Sequence, residues 1–163
     1  MSRPSDKRPV NVLFLCTGNS ARSILAEALL NALGAEHGFL AWSAGSSPSG
    51  RPHPDALRGL ARHGHPTGLW RSKSWSEFGA PDAPEMDIVV TVCDSAANEV
   101  CPVWPGRPVA VHWPAPDPAH IPDSGQRERA FRDVYTLMKR RVEDLIALPR
   151  EALSDRGAVQ AIA

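Results

Sequence analysis

The chain is short of several things, and each shortage excludes something. Its 163 residues carry 18 basic and 18 acidic side chains, so no excess of either sign argues for nucleic acid or an anionic membrane as partner. No apolar run approaches the roughly 20 residues of a membrane span. The opening Met1 to Pro9 lacks the apolar core of a secretory signal and is expected to be a flexible tail. Cysteine is scarce, with only Cys16, Cys93 and Cys101. Without an export signal, three thiols argue against a disulfide framework and for a reducing, cytoplasmic compartment. No internal repeat or domain boundary is visible, and the length suits one domain with an ordinary core. Proline is abundant instead, at 16 residues, which points to rigid loops.

Against that background, residues 10 to 30 stand out. Val10 to Leu15 is an apolar run broken only by Asn11, as expected of a central parallel strand covered on both faces. A polar loop follows, Cys16-Thr17-Gly18-Asn19-Ser20-Ala21-Arg22-Ser23, and then a helix of strong formers to Leu33, ended by Gly34. A loop entering a helix aims backbone N–H groups at one point, where the helix dipole also favours negative charge. That field is expected to lower the pKa of Cys16 and hold it as thiolate. Arg22 adds a planar fork of donors suited to a tetrahedral oxyanion. The stretch therefore reads as an anion cradle with a nucleophile at its floor. Thr-Gly-Asn-Ser is also ordinary turn chemistry, and what raises the catalytic reading is the setting between a strand and a helix.

Further along, Phe39 to Ser43, Met86 to Val92 and Val109 to His112 read as strands. His53 to His63 reads as a helix, and Ser124 to Leu148 as a long amphipathic one with Phe131, Val134, Met138, Val142 and Leu145 on one face. Trp70 and Trp75 are expected to cover the core, and His53, His63 and His65 to be surface or cap residues. The alternation of strands and helices predicts an α/β fold. It is a single-domain three-layer sandwich over residues 10–148, with a four-stranded parallel sheet and helices on both faces. Residues 149–163 are expected to be a C-terminal tail with at most a short helix. Cys93 falls at a strand end, on the rim that faces the ligand in such sheets. Cys93, Cys101, His112 and His120 do not have zinc spacing, and no metal is assigned.

The loop Cys16 to Ser23 resembles the phosphate loop of the low-molecular-weight tyrosine phosphatase superfamily, and within it the chain looks like the arsenate reductases that use internal cysteines. The likeness continues through Ser43-Ala44-Gly45, Val89 to Asp94, Cys101-Pro102, His112-Trp113 and Asp117-Pro118. It implies a low-molecular-weight phosphatase-like fold and an oxyanion site built from Thr17, Gly18, Asn19, Ser20, Ala21, Arg22 and Ser23. It also implies arsenate as substrate, with phosphate or sulfate as mimics. Cys16 would attack arsenic, Asp117 would protonate the departing oxygen, and Cys93 and then Cys101 would carry the resulting disulfide outward. The Cys93–Cys101 loop would have to move for this. No tightly bound cofactor is expected, only an external thiol reductant, thioredoxin or glutaredoxin with glutathione, acting on a monomer. In some related reductases the glutamate matching Glu27 helps hold potassium; here a hydrogen-bonded helix residue is an equally good reading.

The chain also departs from the pattern. The thioredoxin-linked reductases often carry a further cysteine where Ala21 stands, and a closer outer pair than Cys93 and Cys101. The tyrosine phosphatases generally place an aromatic wall after the Asp-Pro pair, where Ala119 and His120 stand. The alternative activity is therefore that of a low-molecular-weight tyrosine phosphatase or small phosphoester hydrolase.

Overall fold

A computed structural model describes residues 8–94, 96, 104 and 106–163. Cys101 lies outside them, as do the N-terminal residues 1–7 and most of the loop expected to join Cys93 to Cys101.

Strand β1 (Val10–Cys16) is the centre of the molecule. Its residues are buried throughout, and they alternate. Val12 and Phe14 enter the larger core, whereas Leu13 and Leu15 enter a smaller one on the other face. Full burial of each such side chain contributes roughly 1.5–3 kcal/mol, so a strand apolar on both faces can only be central. It is flanked by β2 (Phe39–Gly45) and β3 (Ile88–Thr91), with β4 (Val109–His112) outside β3. The order is β2-β1-β3-β4, and all pairs are parallel.

The larger core is covered by α-helices. Helix α1 (Arg22–Gly34) buries Ile24, Leu25, Leu29 and Leu30 and packs on β2 and on the long helix α3 (Ser124–Ala147). Gly34, the last residue of α1, lies too close for a side chain, since a Cβ there would meet Leu30 Cδ1 at 2.8 Å and Phe39 Cβ at 3.0 Å. Helix α2 (Pro54–Arg62) is capped by His53, whose Nδ1 accepts from Asp55 N–H at 3.0 Å. Buried Asp55 pairs with Arg58 and, at 2.6 Å, with Arg127 of α3, which ties the two helices together. The expected apolar face of α3, from Phe131 to Leu145, is buried in full.

The other face is thinner. Phe78 of the 3-10 helix Trp75–Phe78 joins Met86, and Trp42, Trp75 and Trp104 close over them.

Residues 149–163 are not a tail. A 3-10 helix (Arg150–Ser154) and helix α4 (Arg156–Gln160) send Leu153, Val159 and Ile162 into the larger core, and Trp113 Nε1 donates to the Val159 carbonyl at 3.0 Å. Three apolar anchors spread over ten residues are too sparse to show a helical period, and the core they join is built from segments distant in sequence.

The strand order reverses at β1. The chain steps from β1 to β2 on one side and returns to β3 on the other, so the loops leaving β1 and β3 diverge and open a crevice between them. Both Cys16 and Cys93 lie at that crevice.

Candidate active site

The loop after β1 is held from outside. Its carbonyls are taken up by neighbouring backbone: Thr17 O accepts from Ser47 N–H, Gly18 O from Ser49 N–H and Ser20 O from His53 N–H, at 2.8–2.9 Å. From within it is held by Asn19, which is fully buried and adopts a left-handed φ of 46°. Asparagine tolerates that region better than most residues, because its short side chain can bond locally. Asn19 Nδ2 donates to Ser23 Oγ and Ser43 Oγ, and its Oδ1 accepts from Lys73 N–H, all at 2.9 Å. Gly45 is required by this arrangement, because a Cβ there would be driven into the Thr17 carbonyl and against Asn19.

At the centre sits the Cys16 thiol, 3% exposed, with Ser23 Oγ at 2.9 Å and Asn19 N–H donating at 3.2 Å. The depressed pKa expected from the sequence is not what this geometry gives. Burial pushes the thiol up from its ordinary value, while the Ser23 and Asn19 hydrogen bonds pull it down. The helix field was legible in the sequence; the depth of burial was not.

Arg22 leaves the first turn of α1 and crosses to the loop after β4. Its Nη1 donates to Ala115 O at 3.0 Å, and its Nη2 lies 3.7 Å from Asp117 Oδ2. Asp117 in turn accepts from Ala119 N–H at 2.9 Å, a local turn that fixes its carboxylate. Buried Arg141 of α3 holds the same loop by donating to the Trp113 and Pro114 carbonyls at 3.0 and 2.9 Å. A cavity of about 180 Å³ is enclosed by the Cys16–Arg22 loop together with Asp117, Ala119 and His120. That is room for about six waters at roughly 30 Å³ each, ample for a tetrahedral oxyanion. His120, which stands where the phosphatases place an aromatic wall, has its Nε2 3.6 Å from Asp117 Oδ2.

Cys93 reaches the same rim. Leu15 pairs with Thr91 across β1 and β3, and continuing that register sets Cys16 beside Val92 and Thr17 beside Cys93. Accordingly Thr17 Oγ1 is 3.5 Å from Cys93 Sγ, which also accepts from Ala96 N–H at 3.4 Å. A second cavity of about 440 Å³ is lined by Thr17, Arg22, Cys93, Asp94 and the segment Pro114 to Asp117. Both thiols belong to the larger core, and Cys93 stands one residue beyond the position opposite Cys16.

Below the loop, Ser43 Oγ donates to Glu27 Oε1 at 2.5 Å. Burial raises the Glu27 carboxyl, and buried Lys73 pulls it back, while burial lowers the Lys73 amine. The Lys73 amine itself donates to the Arg71 carbonyl at 2.9 Å. Nothing local in the sequence marks Lys73 or Ser72, whose Oγ donates to Gly18 O at 3.1 Å, as partners of the loop.

The profile of the low molecular weight phosphotyrosine protein phosphatases matches residues 11–157. The chain belongs to that family. Among its relatives, the glutaredoxin arsenate reductase of Synechocystis sp. is 33% identical over 136 residues, covering 83% of this chain and 95% of the relative. An arsenate reductase of Brevibacillus brevis is 38% identical over 112 residues, covering 66% of this chain and 76% of that protein. The solved structure of an arsenate reductase in the phosphate binding state superposes with a TM-score of 0.68 at 31% identity, covering 84% of this chain and 96% of that one. The family's parallel α/β sheet is the one described above, and the family resemblance read from Cys16 to Pro118 holds.

Proposed function

We propose that this chain reduces arsenate to arsenite, with Cys16 as nucleophile and Cys93 as the first thiol of a disulfide relay. Arsenate enters the cradle of Thr17 to Ser23, and the Arg22 guanidinium and loop amides balance its charge. Cys16 sulfur attacks arsenic while Asp117 protonates one arsenate oxygen, which leaves as water. Cys93 thiolate then attacks Cys16 sulfur. The S–S bond forms, the S–As bond breaks, and its electron pair leaves on arsenic, so arsenic(V) becomes arsenic(III). Cys101 would next take over the bond to Cys93, freeing Cys16, and an external dithiol would reduce the outer disulfide. A glutaredoxin with glutathione is the favoured reductant, on the name of the Synechocystis relative; thioredoxin is the other. A cytoplasmic monomer without a tightly bound cofactor is the form this reading assumes.

One observation carries it: a second thiol, on Cys93, lies 3.5 Å from the hydroxyl of the residue next to Cys16. A phosphoester hydrolase needs Cys16, Arg22 and Asp117 but has no use for that thiol. Measuring arsenite formation with a thiol reductant tests the reading. Cys93→Ser should stop multiple turnover while leaving residual p-nitrophenyl phosphate hydrolysis intact. Full turnover by Cys93→Ser and Cys101→Ser would leave the phosphoester activity as the better account.

A further inference from the structure

His112, at the end of β4, takes no part in the chemistry described so far, yet its imidazole is fixed on both sides. It stands opposite Thr91 in the β3–β4 register. Its Nδ1 lies 2.8 Å from Thr91 Oγ1 and 3.1 Å from the Thr91 carbonyl. Its Nε2 lies 2.9 Å from Asp94 Oδ1, and because a carboxylate oxygen accepts, Nε2 carries the proton. The His112 backbone is clamped as well: Gln160 of α4 accepts from its N–H at 2.9 Å and donates to its carbonyl at 2.6 Å. The Asp94 side chain is 84% exposed, so this contact is not needed to satisfy a buried group. What it does is tie the residue that follows Cys93 to the rigid end of β4.

We infer that His112 is a positioning residue for Cys93, acting through Asp94. The inference rests on the relay reading above. With Asp94 held, the backbone at Cys93 is fixed on both sides, by strand β3 before it and by the imidazole after it. The thiol is thereby kept between Thr17 Oγ1 and the Ala96 amide, facing the crevice from which it attacks Cys16 sulfur. Without the tie, Cys93 would sample other directions, and the step that slows would be formation of the Cys16–Cys93 disulfide rather than capture of arsenate. The buttress explains why the C-terminal helix, remote from the cradle, contacts the His112 peptide on both sides.

The test is a single turnover. Reduced full-length protein is mixed with arsenate and acid-quenched over time, and the Cys16–Cys93 disulfide is quantified by mass spectrometry. The variants are His112→Asn, His112→Gln and Asp94→Ala. Glutamine can place an N–H near the position of Nε2, whereas asparagine mimics only Nδ1. The tie predicts that His112→Asn and Asp94→Ala form the disulfide about fivefold more slowly, as loss of one partly exposed hydrogen bond allows. His112→Gln should stay near the wild-type rate, and the KM for arsenate should not change. Asp94→Ala removes an exposed side chain and keeps the test valid should a His112 variant fold poorly. Wild-type rates in both His112→Asn and Asp94→Ala would overturn the inference while leaving the relay standing, and a His112→Gln variant as slow as His112→Asn would overturn it too. Absence of the disulfide in the wild type would remove the relay and this inference together.

Discussion

Asn19→Ala is the substitution with the most to say about how the cradle is held. It removes three buried hydrogen bonds, to Ser23, Ser43 and the Lys73 amide. At about 1 kcal/mol each, these amount to roughly 3 kcal/mol. It also leaves a residue with a Cβ and no local side-chain bond at a φ of 46°, for another ~1 kcal/mol. The expected loss is therefore about 4 kcal/mol, which for a domain of this size lowers Tm by roughly 8–16 °C. Urea denaturation and a thermal melt read both numbers. Asn19→Gly keeps the backbone freedom and loses only the side chain, so it should fall short of the alanine variant's loss despite the extra entropy glycine brings to the unfolded chain. A loss below about 1 kcal/mol for Asn19→Ala would refute the claim that this side chain is what fixes the loop.

Other expectations concern charge. Ser23→Ala removes the largest counterweight to burial at Cys16, so the thiol should rise further. In a background lacking Cys93 and Cys101, the pH midpoint of Cys16 alkylation by iodoacetamide should move upward, and an unchanged midpoint would deny Ser23 that role. Burial raises the Glu27 carboxyl in the folded state. Its sign follows from linkage: below the unfolded pKa both states hold the proton, and as pH climbs from there to the folded pKa the unfolded state gains by ionising first. Wild type should therefore lose stability across that window, and Glu27→Gln should flatten the loss in denaturation curves taken at successive pH values. Arg22→Lys keeps a charge but not the fork that reaches both the Ala115 carbonyl and Asp117. The kcat/KM for arsenate should fall on the order of 100-fold, the usual loss when one oxyanion donor is misplaced. A fall below tenfold would mean that charge alone suffices.

Much of the site could be read from local pattern. The apolar run of β1, the polar loop after it and the start of α1 are contiguous, so strand, turn and helix chemistry specified them together. The long helix was equally plain, since five apolar side chains recur at helical spacing and all five are buried. Other features had no local signature. Lys73 and Ser72 brace the loop from 54 residues away in sequence. Arg141 grips the Asp117 loop from a helix whose pattern marks it only as a charged residue, and Leu153, Val159 and Ile162 are buried in a core assembled from distant segments.

Sequence by itself determined which groups could do chemistry: a cysteine and an arginine bracketing a helix-entry loop, an Asp-Pro acid, and thiols at a strand end. Those are properties of residue type and short spacing, which act within a turn or two of backbone. Only the tertiary structure decided that Cys93 stands beside Thr17, because that depends on which strand pairs with β1 and in what register. It also decided that the Cys16 thiol is raised rather than lowered, because desolvation depends on how much of the molecule is packed around a group. Proximity and burial are sums over distant segments, and no local stretch contains them.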